Sequence, residues 1–150
     1  YAPTETAQGS EKTKFWKTIS SSIAEVPTNE HLVLMMNANA RMEDARVFEE
    51  YGRDTWNDNG RRLLKCAAEL KMAITNTFFR APMRGESSFG YTYAGPKAEH
   101  RWCLDYILIR QQNRRLAQNI TVHPDMKSDH RLVSATIRLL GRNAPNRQPK

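Results

Sequence analysis

The sequence predicts an α/β layered domain, of the α+β kind, from three observations. Two segments place apolar residues at helical spacing. Several short runs are continuously apolar or alternating, as strands are. The two kinds of segment interleave along the chain. At 150 residues, with 39% hydrophobic and 26% charged side chains, the composition is that of one globular domain. A chain of this size buries roughly 68–70% of its unfolded surface, enough for a real core. No apolar run approaches the ~20 residues that cross a bilayer, and no signal peptide opens the chain.

The first helix is expected over residues 11–26, "EKTKFWKTISSSIAEV". Phe15, Ile19 and Ile23 recur every fourth residue with Trp16 beside them, and Pro27 closes the pattern. "HLVLMM" (31–36) is short, apolar and bounded by polar turns, as a buried strand is. Residues 40–57 are charged and aperiodic, and are expected to form a loop with one helical turn at most. "NGRRLLKCAAELKM" (59–72) brings Leu63, Leu64, Ala67, Ala68 and Met72 near one face of a second helix.

β-Branched and aromatic residues make "AITNTFF" (73–79) a predicted strand. "RAPMRGESSFG" (80–90) reads as loop, "YTYAG" (91–95) as a short strand and "RWCLDYILIR" (101–110) as a long one. "NRRLAQNI" (113–120) suits a loop or a short helix. "DHRLVSATIRLL" alternates, with Leu132, Ser134, Thr136 and Arg138 opposite Val133, Ala135 and Ile137. The expected domain is 1–140, and the polar, proline-containing 141–150 is expected to be a disordered tail.

Cys66 and Cys103 have neither a disulfide framework nor zinc spacing, so two buried free thiols in a reducing, intracellular compartment, nuclear or cytoplasmic, are expected. The net charge of +7 is unevenly placed. Residues 1–96 hold 12 basic and 12 acidic side chains, whereas residues 97–150 hold 11 and 4. A basic C-terminal part suits a polyanionic partner such as nucleic acid, through counterion release. A solvated basic surface would look the same.

Several polar residues stand where packing alone does not require them. Tyr1 precedes a proline turn, and "YAPT" reads as the end of a strand. Asn37 and Asn39 end an apolar strand, Asp105 interrupts another, and "SDH" (128–130) precedes the last. Each has a plain structural explanation. The asparagines serve as turn residues, and Asp105 is either surface-facing or held by Arg101 or Arg110. Ser128 and Asp129 can form a turn, and His130 can be a lone surface histidine. All of them, however, fall at strand ends, where layered α/β proteins gather binding loops. Together they supply what phosphodiester hydrolysis needs. Carboxylates hold a hard cation, an Asp–His pair manages protons, and neutral donors steady a phosphate.

In order, "YAPT", "MNANA", "ITNTFF", "YTY", "LDYIL" and "SDHRLV" resemble the endonuclease/exonuclease/phosphatase superfamily. The likeness is to its craniofacial development protein 2-like and LINE-retrotransposon endonuclease branch, over roughly residues 1–140. The resemblance implies the C-terminal half of a four-layer α/β/β/α sandwich, with the N-terminal half missing. It implies Mg²⁺ or Mn²⁺ as the cofactor and nucleic acid as the substrate. His130, Asp105, Asp129 and Asn37 then stand in catalytic positions. Asp105 would orient His130, and Asp129 would position metal or water. Tyr1, Asn39, Thr92 and Tyr93 stand in substrate-binding positions, with Tyr93 replacing the family tryptophan.

Two departures bear on activity. Asn37 occupies the aspartate position of the family's "GDFNA", and Met36 and Ala38 replace its glycine and phenylalanine. The family's first half, which supplies an Asn and a metal-binding Glu, precedes the tyrosine motif with which this chain opens. Catalysis is therefore expected to be lost or impaired. Both a damaged endonuclease-like fragment and a non-catalytic binding remnant remain open on these residues.

Overall fold

The computed structural model describes residues 1–42, 56–79, 91–97, 100–123 and 127–139. Residues 43–55 of the loop expected at 40–57, the loop expected at 80–90 and the tail at 141–150 lie outside the described residues. Two helices, α1 (Gly9–Glu25) and α2 (Asp58–Glu69), pack on one face of a three-stranded antiparallel sheet. Its order is β1 (Val33–Asn37), β5 (Asp105–Arg110), β2 (Met72–Ile74). Strands β3 (Tyr93–Ala94) and β4 (Arg101–Trp102) form one two-stranded sheet, and β6 (Ala117–His123) and β7 (Leu132–Ile137) form another.

The central position of β5 explains its composition. Paired on both edges, it buries every residue from Tyr106 to Arg110. Tyr106 and Leu108 point to the helices and join Trp16, Ile23, Leu63, Cys66, Ala67, Met72 and Ile74 in the core. Ile107 and Ile109 alternate to the other face, as the period of a strand requires, and are equally buried. At the far end, the Arg110 guanidinium donates to Val26 O at 2.7 Å and to Pro27 O at 3.2 Å. It thereby ties the end of α1 to β5.

Helix α1 and the strands at 33–37 and 132–137 fall close to where expected, and α2 starts where expected but ends at Glu69, so that Met72, expected on its apolar face, opens β2 instead. Three further segments differ. "AITNTFF" is a strand only through Ile74, and Thr75–Phe78 turn into a 3-10 helix. The turn lets side chains replace a ladder. Thr75 Oγ1 donates to Ile107 O (2.7 Å), Asn76 Oδ1 accepts from Ile107 N (2.9 Å), and Asn76 Nδ2 donates to Asp105 O (3.1 Å).

"RWCLDYILIR" is two strands, interrupted at Cys103–Leu104. There the Leu104 N–H donates to Thr92 Oγ1 (2.9 Å) and the Leu104 carbonyl accepts from Ala38 N (2.8 Å). "NRRLAQNI" begins in the 3-10 helix Gln111–Leu116, but from Ala117 it is strand β6, paired with β7 with a register shift between Ala117 and Asn119. Residues 1–4 form no strand of their own. Ala2 N donates to Asn37 O at 2.9 Å, which docks "YAPT" against the end of β1.

Candidate active site at the Asp105 end of the sheet

Asp105 opens β5, and its carboxylate is built into place before any ligand is considered. The Thr92 hydroxyl, wholly buried, donates to Asp105 Oδ2 at 2.6 Å and accepts from the backbone N–H groups of Leu104 (2.9 Å) and Asp105 (3.1 Å). His130 Nδ1 lies 2.9 Å from the same Oδ2. His130 is brought there by backbone pairing with β3. It bridges Tyr93, Arg131 N donates to Thr92 O (2.7 Å), and Ala94 N donates to Asp129 O (2.8 Å). With Asp105 as acceptor, Nδ1 carries the proton and Nε2 is the basic nitrogen.

Across the ladder, Asn37 is the register partner of Asp105. Asn37 Oδ1 accepts from Asn39 N at 2.8 Å, which closes a tight turn and holds Asn39 at φ 45°. Asn39 Nδ2 donates to Ala2 O at 2.7 Å. Asn57 and Asn59 clamp this loop from behind. Asn57 Nδ2 donates to Asn39 O (2.7 Å), while its Oδ1 caps α2 at Gly60 N (2.8 Å) and accepts from Arg41 N (2.9 Å). Asn59, with no exposed surface, accepts from Trp16 Nε1 (2.9 Å) and donates to Pro3 O (2.7 Å). The sequence pattern places Asn57 in the loop 40–57 and Asn59 at the start of the second helix, with no role at the site for either. The signal that could have shown more was two amides just ahead of an amphipathic helix.

The expected residues therefore divide. Asp105, His130, Thr92 and Tyr93 are in mutual contact, the last through a ring contact with His130 at 5.2 Å. Thr92, expected on the ligand side, lies buried behind the carboxylate. Tyr1, 91% exposed, lines an open groove of about 280 Å³ with Asn37, Asp105 and Arg131. Asn39 and Asp129 are not among its lining residues. Asp129 is exposed, and its Oδ1 accepts from Ser128 Oγ at 3.2 Å.

Trp102, His100 and Arg41, which the sequence did not single out, complete the surroundings of the expected Tyr93. Tyr93, Trp102 and His100 form a continuous stack, with ring separations of 5.8 and 5.1 Å, and Arg41 lies 5.0 Å over Trp102. Arg101 and Arg131 both pack on the Tyr91 ring, and Arg131 also donates to the Tyr91 hydroxyl. Below Asp105, the Tyr106 hydroxyl donates to Cys103 O (2.8 Å) and Ala40 O (3.0 Å). Burial holds that phenol well above its usual range and pushes the Cys103 thiol up to about 12. Cys66 is buried and Cys103 half-buried, both as free thiols.

No family model matches the chain. Solved structures define its class. A 3'-5' exonuclease (NExo) from Neisseria meningitidis superposes with a TM-score of 0.65 at 16% identity, covering 87% of this chain and 54% of that one. The endonuclease domain of TRAS1, a telomere-specific non-LTR retrotransposon, gives 0.59 at 17%, covering 86% and 52%. A 3' phosphatase NExo from Neisseria bound to product DNA hairpin gives 0.65 at 17%, covering 87% and 54%. The fold is that of the endonuclease/exonuclease/phosphatase superfamily, and the chain accounts for about half of it.

Within that class the sequence is craniofacial development protein 2-like. It is 31% identical over 144 residues to craniofacial development protein 2 of Bos taurus and 30% identical to that of Tragulus javanicus. Each alignment covers 93% of this chain, and the chain spans about a quarter (24%) of the length of these relatives.

Proposed function

We propose that residues 1–140 are part of a nucleic-acid-acting phosphodiester hydrolase domain, in which the proton-handling side of the site is kept and the metal-holding side is impaired. The observation that supports this is the 2.9 Å contact of His130 Nδ1 with an Asp105 oxygen that Thr92 also holds at 2.6 Å. A carboxylate so placed orients the imidazole and stabilises its charged form, so Nε2 serves as a general base toward water. Tyr1 offers a phenol on the groove, Asn39 supports the turn beneath it, and Tyr93 presents an aromatic face for a base or sugar. The solved neighbour bound to a DNA hairpin and the basic surplus of residues 97–150 favour nucleic acid as the ligand class.

In the superfamily a divalent cation polarises the phosphoryl oxygen. The donors on this chain do not fit one. Asn37 supplies an amide where a carboxylate would stand, Asp105 is taken by His130 and Thr92, and Asp129 lies off the groove. Among the described residues no group of three or more His, Cys, Asp or Glu could hold a metal.

The test is nicking of supercoiled plasmid with Mg²⁺. Cleavage is expected to stay near background, with any residue of it abolished by His130→Ala. Turnover typical of a competent nuclease would refute the impairment. Unchanged cleavage in His130→Ala would refute the role of the Asp105–His130 pair. A second reading, a non-catalytic nucleic-acid-binding remnant, is favoured by the Tyr93–Trp102–His100 stack. Oligonucleotide binding with no cleavage under any metal condition would select it.

A further inference from the structure

The end of the sheet opposite Asp105 carries a cationic surface that the site does not use. Gln111 N donates to Lys71 O at 2.7 Å, and Arg138 N donates to Leu116 O at 2.8 Å. These bonds draw Lys71, the 3-10 helix Gln111–Leu116 and the end of β7 into one neighbourhood, with Arg114 and Arg115 between them. Lys71, Arg114, Arg115 and Arg138 are all exposed, and none has an ion-pair partner among the described residues. Arg110, by contrast, is buried and engaged by Val26 O and Pro27 O. The adjoining elements add no counter-charge, since β2, the 3-10 helix, β6 and β7 contain neither Asp nor Glu. Glu69 pairs with Lys65. Glu25 and Glu30 belong to the α1–β1 side, which the 3-10 helix meets through Gln112 on Thr28 O and Asn113 on His31. Like charges gathered in this way repel one another. A polyanion laid across them relieves the repulsion and releases its own counterions.

We propose that this end of the sheet is a nucleic-acid anchor, in which Lys71, Arg114, Arg115 and Arg138 contact successive backbone phosphates of a duplex segment remote from the site. The 3-10 helix rises ~2.0 Å per residue, so its six residues span about 12 Å. Phosphates of one duplex strand follow every ~3.4 Å of axis, so about three or four of them match that length. Four separately rooted cations suit such a repeating anion better than one isolated phosphate. The proposal rests on the reading of the domain as nucleic-acid-acting for its ligand class only. It adds a contact about 17 Å from Asp105, the length of β5 at ~3.4 Å per residue. Backbone contacts of this kind position a duplex and read no sequence.

The experiment follows a fluorescein-labelled DNA duplex by anisotropy over a range of salt concentrations, in EDTA so that no cleavage intervenes. The slope of log affinity against log salt counts the phosphates neutralised, at about −0.9 for each. The double variant Arg114→Gln, Arg115→Gln should flatten the slope by about two and weaken low-salt binding about tenfold or more. Should that variant fail to melt like wild type, the pair Lys71→Gln, Arg138→Gln decides by the same readout. Wild-type binding whose slope is unchanged in a folded variant overturns the anchor and leaves the nucleic-acid reading standing. Patch-dependent binding with no cleavage under any metal condition keeps the anchor and selects the non-catalytic reading of the site. No duplex binding at low salt overturns the anchor, and His130-dependent nicking then still decides the site. Co-sedimentation with phosphatidylserine vesicles in place of duplex binding assigns the surface to a membrane and also overturns the proposal.

Discussion

Asn37 and Asp105 face one another across the β1–β5 ladder as direct register partners, so their side chains project from the same side of the sheet a few ångströms apart. Carboxylates at both positions would repel one another unless a cation sat between them. The amide removes that conflict and with it the reason for a cation. Asn37→Asp is therefore expected to lower stability by about 0.5–1 kcal/mol in EDTA and to recover it with millimolar Mg²⁺. Thermal melts in the two buffers measure this. A variant as stable as wild type in EDTA would mean that the two side chains diverge.

Thr92 holds three partners through one buried hydroxyl. Thr92→Val keeps the shape and leaves a carboxylate and two backbone N–H groups short of a bond, at about 2–3 kcal/mol. Thr92→Ser restores the hydroxyl and should recover most of the loss. Urea denaturation separates the two. Equal destabilisation by Val and Ser would assign the effect to the methyl group.

The "NDNG" segment makes a prediction whose sign runs against helix propensity. Gly→Ala within a helix ordinarily stabilises by about 1 kcal/mol. A Cβ on Gly60 of α2 would collide with the Arg41 carbonyl oxygen and crowd Asn57 Oδ1 at 3.3 Å. Overpacking costs about 1–3 kcal/mol and is borne by backbone, which has little room to move. Gly60→Ala should be net destabilising by about 1–2 kcal/mol in chemical denaturation. A stabilised variant would show that the Asn39–Arg41 loop yields freely.

What the sequence made legible follows from what is local. The helical spacing of Trp16 and Ile23 and the alternation of Val133, Ala135 and Ile137 are local, and those elements stand where expected. The 3-10 turn at Thr75 was hidden because its cause lies 32 residues away in the carbonyl of Ile107. The break at Cys103–Leu104 likewise depends on Thr92 and Ala38. At the site, ordered motifs were enough to bring His130 and Asp105 together on paper. Nothing local shows that Thr92 faces inward, that Asn39 is engaged by Ala2, or that Arg131 reaches the groove. The first and third follow from pairing β3 with the His130 segment, and the second from the docking of Ala2 against the end of β1.

Cys103 and Tyr106 give the site a pH limit. The thiol is raised from its ordinary 9.0 to about 12, first by burial and then by the nearby Asp105 charge. The phenol is raised well above 10.0, again chiefly by burial. Both groups keep their protons longer in the folded chain than in the unfolded one. Below pH 9 neither state has lost these protons, so the stability tied to them is fully present. As pH rises from 9 toward 12, the unfolded chain releases the Cys103 proton while the folded chain retains it. Stability therefore falls across that window. Tyr106 adds a loss of the same sign above pH 10, and with it go the hydrogen bonds to Cys103 O and Ala40 O. Urea unfolding at pH 8 and pH 11 should show a smaller decline in Cys103→Ala than in wild type, by close to one proton per molecule in the slope. At pH 8 neither Cys103 nor Cys66, which burial also raises, should react with a thiol reagent until the chain is unfolded. Rapid labelling of Cys103 in the native protein at pH 8, with equal alkaline slopes for the two proteins, would show that the thiol is open to water.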